Sequence, residues 1–268
     1  MNPFFDPDEQ ALADRFLKEG YVILPAEDRA GLDRIRAHVA QLTAERLGQP
    51  SPNDPGAFLD HIHERLSVDD LNAVRLGVFE DMNTAPWFRP TYFRLARQAI
   101  GWLTGNELAM QRRVNLSIQM PQDDSSLLPL HADVWAGDSA YELVLWTPLV
   151  DCRRTKSMYI LPAGPHAQFQ AEFAQRAAEG GVQGLFEAAR PHLVWLDIPY
   201  GHVLLFNQNL AHGNVVNEEA TTRWTMNCRF KQLLTPYADK RLGDFFEPIT
   251  LRPLTRLGAD YRFPDTGS

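Results

Sequence analysis

His131-Ala132-Asp133 is the one H-x-D tripeptide of the chain, and it sets an imidazole and a carboxylate two positions apart. On an extended backbone, residues i and i+2 share a face at a separation of roughly 6.6 Å, so both side chains can reach one metal ion. His212 stands 79 positions beyond Asp133, after one strand-like run and before another, where the rim of a barrel would hold it. Two neutral imidazoles with one carboxylate form the facial set that selects Fe(II) and leaves positions open for a cosubstrate and oxygen. A structural zinc site would instead close four ligands, usually with thiolates.

Eleven residues after His212, Arg223-Trp224-Thr225-Met226-Asn227-Cys228-Arg229-Phe230-Lys231 alternates strictly. In a strand, Arg223, Thr225, Asn227, Arg229 and Lys231 share one face, and Trp224, Met226, Cys228 and Phe230 the other. The plain reading of such a strand is one wet side and one dry side. The reading that fits a histidine just upstream turns the polar face into a barrel, where Arg223 can grip a buried carboxylate while the Thr225 hydroxyl donates to the same group.

Other residues can contribute around this centre. Asn115, Ser117 and Gln119 fall on one face of a strand-like run and can line the cavity. Lys156 is a candidate for the cosubstrate carboxylate or an anionic substrate group, and Arg229 is a rival of Arg223 for the same carboxylate. Trp135 and Trp146 are candidates for a sugar-stacking wall, and Asn227 for a substrate contact. His61-Ile62-His63-Glu64 lies in a charged, helix-like stretch with no further partner and is set aside as a metal site. His38, His166, His192 and His202 belong to no constellation. Cys228 falls on the apolar face of its strand, where burial raises a thiol pKa rather than activating it.

The elements that must position these groups divide along the chain. The first hundred residues read mainly as helix: Asp6-Pro7-Asp8-Glu9 opens a run that Gly20 stops, Arg29 to Leu47 carries Leu32, Ile35, Val39 and Leu42 at helical spacing, and Val68–Asp81 and Pro90–Leu103 follow. Tyr21–Pro25 is a short strand, and 49–56 is a loop by composition. From Leu108 the texture changes to short runs punctuated by Pro, Gly and Asp. Strands are expected at Arg113–Met120, Glu142–Val150, Met158–Leu161, Leu193–Asp197, His202–Phe206, Asn214–Asn217 and Arg223–Leu233, interrupted by one helical insertion at His166–Ala178. The expectation is one domain, 1–268: a helical support layer over 1–105, a β-barrel or sandwich core over 106–235, and an irregular tail over 236–268.

Composition bounds the function. The chain has 268 residues, 26 Lys and Arg against 34 Asp and Glu, and a net charge of −8, which argues against a nucleic-acid binder. Two isolated cysteines exclude a disulfide scaffold and a zinc ribbon. The start, Met1-Asn2-Pro3-Phe4-Phe5-Asp6, lacks the basic and apolar regions of a signal peptide, and the apolar stretches are strand-sized. A protein acting in the cytoplasm on a small molecule, without nucleic acid or membrane, is expected.

The order H-x-D, a long gap, His, and R-x-[ST] eleven residues later resembles the 2-oxoglutarate-dependent Fe(II) oxygenases, in particular their phytanoyl-CoA dioxygenase-like branch. Gly20-Tyr21-Val22-Ile23-Leu24-Pro25 looks like that family's opening strand. Leu145-Trp146-Thr147-Pro148-Leu149-Val150-Asp151 through Ile160-Leu161-Pro162-Ala163-Gly164-Pro165-His166 looks like its central hairpin. The sequence departs from the branch at Lys156-Ser157, where Asn-Gly is common, and at Pro162–His166, where Pro-Gly-Ser-His is common. His131–Ser139, Lys156-Ser157-Met158 and Arg229-Phe230-Lys231 are most similar to oxygenases of bacterial carbohydrate and aminocyclitol antibiotic clusters, including the streptomycin-cluster type.

The resemblance implies an α+β fold: a double-stranded β-helix, jelly-roll or cupin-like, with the helical layer on its major sheet. It implies that His131, Asp133 and His212 hold Fe(II), that Arg223 and Thr225 hold 2-oxoglutarate, and that O2 is the second cosubstrate. The implied reaction hydroxylates or otherwise oxidises a C–H bond of a small polar metabolite, a sugar, aminocyclitol or nucleotide-linked sugar, with release of succinate and CO2. Asp133 tells against a halogenase, which replaces the carboxylate so that chloride can bind. A hydroxylase of free amino acids or peptide-derived substrates is the alternative on the same scaffold. A non-redox cupin-like sugar isomerase or binding module is the alternative of another class, and Arg223-Trp224-Thr225 speaks against it.

Overall fold

In a computed structural model that describes residues 3–264, the N-terminal third is helical apart from one strand. Helix α1 (Pro7–Glu19) opens with proline and two acids and ends where Gly20 turns left-handed at φ 78°. A side chain at Gly20 would also collide with Leu210. After β1 (Tyr21–Pro25), α2 (Arg29–Arg46) is capped by the Asp28 carboxylate and buries Leu32, Ile35 and Val39. Helix α3 (Pro55–Asp60) starts inside the stretch expected as loop, because Asp54 caps it and Pro55 suits its first turn. Helix α4 (Val68–Thr84) is capped by Ser67. The expected helix Pro90–Leu103 is two helices, α5 (Phe88–Arg94) and α6 (Arg97–Thr104). The Glu27 carboxylate accepts from the N–H groups of Gln98 and Ala99, so a residue 70 positions away caps the start of α6, which no local pattern announces.

The remaining strands are β2 (Leu108–Gln111), β3 (Asn115–Gln119), β4 (Leu143–Pro148), β5 (Tyr159–Ile160), β6 (Val194–Trp195), β7 (His202–Asn207), β8 (His212–Gly213), β9 (Arg223–Gln232) and β10 (Phe246–Thr250). The larger sheet is antiparallel, in the order β1-β7-β4-β9-β2-β10. Strands β3 and β2 share one edge of β9 in succession, β3 along Arg223–Asn227 and β2 along Phe230–Gln232. The smaller sheet is β6-β5-β8. The helical insertion is α7 (Ala163–Ala171) and α8 (Phe173–Ala189), the latter broken by a kink at Gly181, and it packs Phe169 and Leu185 with Tyr159.

Two expectations need correcting. The strand foreseen at Asn214–Asn217 pairs two residues earlier, because His212 is bonded on both sides, to Ile160 and to His131. The tail 236–268 is not irregular throughout: β10 pairs with β2, and α9 (Pro253–Asp260) follows. Pro248 inside β10 disguises the strand, and the register shifts beside it. Residues 265–268 of that tail lie outside the described residues. Among the described residues, no helix is long and apolar enough to cross a membrane.

The helical layer and the sheet meet on the apolar face of β9. Trp224, Met226, Cys228 and Phe230 are fully buried. The Trp224 indole N–H donates to Leu59 O at 2.9 Å, Phe230 lies 5.8 Å from Phe93, and the Tyr92 hydroxyl donates to Leu145 O at 2.8 Å. Trp224→Ala should therefore cost about 3–5 kcal/mol, the range for truncating a buried aromatic. An unfolding free energy from urea titration that falls by less than about 1 kcal/mol would show that the layer does not depend on this contact.

Candidate active site

Three potential metal ligands converge because two backbone segments pair. His131 and His212 form an antiparallel bridge, with N–H to O distances of 2.9 and 2.8 Å in the two directions. Residues directly opposite in an antiparallel pair project to the same side. Their rings accordingly lie 4.4 Å apart. Asp133 comes back to the same side after one extended residue, Ala132, and its N–H is held by Gln208 O at 3.2 Å. Asp133 Oδ1 is 3.6 Å from His131 Nε2, and the ligand atoms of all three residues lie within 4.8 Å of one another.

The protonation pattern suits a divalent cation. Nδ1 of His131 lies 2.8 Å from Pro129 O and Nδ1 of His212 lies 2.8 Å from Leu210 O. A carbonyl only accepts, so each Nδ1 carries the proton and each Nε2 keeps its lone pair for the centre, the arrangement usual for metal-bound histidines. Burial pushes the His212 pKa down to about 4, which keeps its imidazole neutral. Burial also pushes the Asp133 carboxyl upward, but the Arg229 guanidinium beside it outweighs this and holds the group below its usual range. Two neutral nitrogens and one carboxylate oxygen fit Fe(II) with one face open.

The triad sits in a cavity of about 290 Å³ bounded by both sheets. The polar face of β9 enters it as Arg223, Thr225, Asn227 and Arg229. Arg223 is 4% exposed, its Nη2 donates only to Ser117 Oγ at 3.3 Å, and its buried Nε has no partner. No carboxylate pairs with it among the described residues. Burial lowers its pKa to about 10, which leaves it charged at neutral pH. A buried, uncompensated guanidinium costs stability unless an anion joins it. Thr225, 1% exposed, lies beside it and opposite Ser117.

The other sequence candidates fall into two groups. Asn115, Trp146 and Asn227 do line the cavity, and the Asn115 amide donates to Asn227 Oδ1 at 2.9 Å. The rest are engaged elsewhere. Arg229 is not a rival for a free carboxylate, because its Nη2 donates to Asp133 Oδ2 at 2.8 Å and its Nε to Gln208 Oε1 at 2.9 Å. Lys156 is buried against Asp60 at 2.5 Å and Thr221 at 2.6 Å and does not line the cavity. Gln119 is fully buried and bonds Val215 O and Asn214, tying β3 to the segment after β8. Trp135 packs on Phe173 at 4.7 Å and is no part of the cavity wall. Gln208, Asp138 and Glu142, absent from the sequence reading, surround Arg229. Their only sequence signal is polarity beside strand ends, and their buried partners come from distant segments.

No family model matches the sequence, and no curated protein does. Solved structures do match. HygX from Streptomyces hygroscopicus, with nickel and 2-oxoglutarate bound, is 14% identical over 89% of this chain and 90% of its own, with a TM-score of 0.53. AviO1 from Streptomyces viridochromogenes Tue57 is 19% identical over 87% and 99%, also at 0.53. The non-heme alpha ketoglutarate dependent epimerase SnoN from nogalamycin biosynthesis is 18% identical over 87% and 86%, at 0.50. The likeness is one of fold. HygX has also been seen with nickel, 2-oxoglutarate and hygromycin B together.

Since no anionic partner of Arg223 lies among the described residues, Arg223→Met should leave the unfolding free energy of the ligand-free protein unchanged or raise it. An unfolding free energy lowered by more than about 1 kcal/mol would make Arg223 a structural residue.

Proposed function

We propose that this chain is an Fe(II)- and 2-oxoglutarate-dependent dioxygenase, one domain built on a double-stranded β-helix. Its substrate is a small polar metabolite: a sugar, an aminocyclitol or a nucleotide-linked sugar. The observation that carries the reading is the unpaired, buried Arg223 in the same cavity as His131, Asp133 and His212. An isomerase or a binding module needs the metal set but has no use for a buried guanidinium beside it. The hygromycin B found in HygX supports an aminocyclitol-type substrate.

Iron, when bound, supplies oxygen activation driven by oxidative decarboxylation of 2-oxoglutarate, and the substrate is hydroxylated or otherwise oxidised at a C–H bond. His131 and His212 offer Nε2 to the metal and Asp133 offers Oδ1. Arg223 receives the distal carboxylate of 2-oxoglutarate through its unused N–H groups, with Thr225 donating to the same group. Ser117 orients the guanidinium. Val144, Met158 and Phe206 keep the cavity wall dry, which strengthens these ionic contacts. Asn227 and Asn115 present amides, and Trp146 a ring, to a hydroxylated substrate. Asp133 fills the position that a halide would need, which favours oxidation over halogenation.

The chain should form succinate and CO2 from 2-oxoglutarate in the presence of Fe(II) and O2, and His131→Ala or Asp133→Ala should abolish it; undiminished turnover in either variant contradicts the metal assignment. Arg223→Ala should raise the KM for 2-oxoglutarate roughly 10- to 100-fold, the loss of about 1.5–3 kcal/mol from one charge-assisted interaction. An unchanged KM would remove Arg223 from the cosubstrate site.

A further inference from the structure

Residues 236–240 contribute nothing to the cavity wall, yet they are laced to the loop that carries Asp133. Gly137 O accepts from the Asp239 N–H at 3.2 Å. Pro236 O accepts from the Ser139 hydroxyl at 2.7 Å and from the Lys231 ammonium at 2.6 Å. Lys240 Nζ lies 2.5 Å from Asp138 Oδ2, Asp138 lies 3.5 Å from Arg229, and Arg229 donates to Asp133 at 2.8 Å. The row Lys240, Asp138, Arg229, Asp133 alternates in sign. Its inner members are mostly buried, with side-chain exposures of 3% for Asp138 and 14% for both Arg229 and Asp133, so water screens it little.

Gln208 holds the loop from the other side. Its backbone carbonyl accepts from the Asp133 N–H, and its side chain donates to Ser139 O at 2.8 Å and Glu142 at 3.0 Å while accepting from Arg229. Both ends of the turn from Asp133 to Ser139 are therefore fixed, and so is the Arg229 guanidinium.

This arrangement decides how Asp133 can bind a cation. Arg229 occupies Oδ2, while Oδ1 faces His131 Nε2. A carboxylate tethered in this way offers a metal one oxygen. Released, it can offer two, and the second would close a position that the cosubstrate and oxygen need. We propose that Arg229, Asp138 and Lys240 are positioning residues that hold Asp133 to one-oxygen ligation, and that segment 236–240 is the strap through which they act. The inference rests on reading the triad as an Fe(II) site.

The test uses the full chain loaded with Co(II), whose visible ligand-field bands report coordination number and geometry. Affinity is measured by chelator competition in wild type, Arg229→Gln, Lys240→Met and Lys240→Arg. Arg229→Gln should weaken Co(II) binding about 10- to 100-fold, the usual effect of losing a residue that orients a ligand, and should change the bands. Lys240→Met should shift the same bands in the same direction with a loss of about tenfold or less, and Lys240→Arg should restore both; a structural ion pair would not reproduce that spectral change. Wild-type affinity and spectrum in Arg229→Gln overturn the proposal, and the same result confined to Lys240→Met overturns the strap. A wild-type chain that takes up Co(II) no better than His131→Ala overturns the iron reading itself, an outcome separate from the other two.

Discussion

Strand β9 must satisfy two opposed environments at once. Its odd-numbered residues need water or a polar partner, and Trp224, Met226, Cys228 and Phe230 need to be dry. The helical layer meets the second demand by covering Trp224, Met226, Cys228 and Phe230, and that cover forces the polar face inward to the space between the sheets. A one-residue slip of register would exchange the two faces. Strand β3, paired along Arg223–Asn227 on one edge, and β4, paired along Thr225–Phe230 on the other, leave no such freedom. The position of Arg223 in the cavity is therefore a consequence of core packing rather than of local sequence around it.

Charge inside the molecule follows a simple division. The chain as a whole is acidic, yet cations are buried among its described residues, and most of them have close partners. Lys156 has Asp60; Arg229 has Asp133, Asp138 and Glu142; Lys231 is held by Pro236 O and lies over the Tyr237 ring. Burial and the neighbouring Asp138 push the Glu142 carboxyl above its usual range, so Arg229 also offsets repulsion within its own cluster. Arg223 stands apart, buried and facing only a hydroxyl. That isolation from charge partners is what supports the proposed cosubstrate site over a structural ion pair.

The frame of this site was legible in sequence where a pattern is local. Gly20 ending α1, Tyr21–Pro25 as β1 and the strict alternation of β9 all depend on residues a few positions apart, and each lies where it was read. The convergence of His131, Asp133 and His212 was legible as a spacing, though its cause, the direct bridge between the two histidines, was not. What escaped was decided by distant partners. Lys156 and Arg229 looked like free cations because Asp60 and Asp133 lie 96 positions from each in sequence. Pro248 hid β10, and with it the anchoring of the tail beside the Asp133 loop.

Arg223 is proposed to receive the distal carboxylate of a keto acid gathered at the triad. Calorimetric titration of the anaerobic, metal-loaded chain with 2-oxoglutarate and with 2-oxobutyrate, which is the same keto acid without the distal carboxylate, tests it directly in wild type and Arg223→Met. The account predicts that wild type prefers 2-oxoglutarate by roughly 10- to 100-fold, as one charge-assisted pair supplies, and that the preference vanishes in the variant. Equal affinity for the two acids in wild type, or a preference that survives in Arg223→Met, would contradict it.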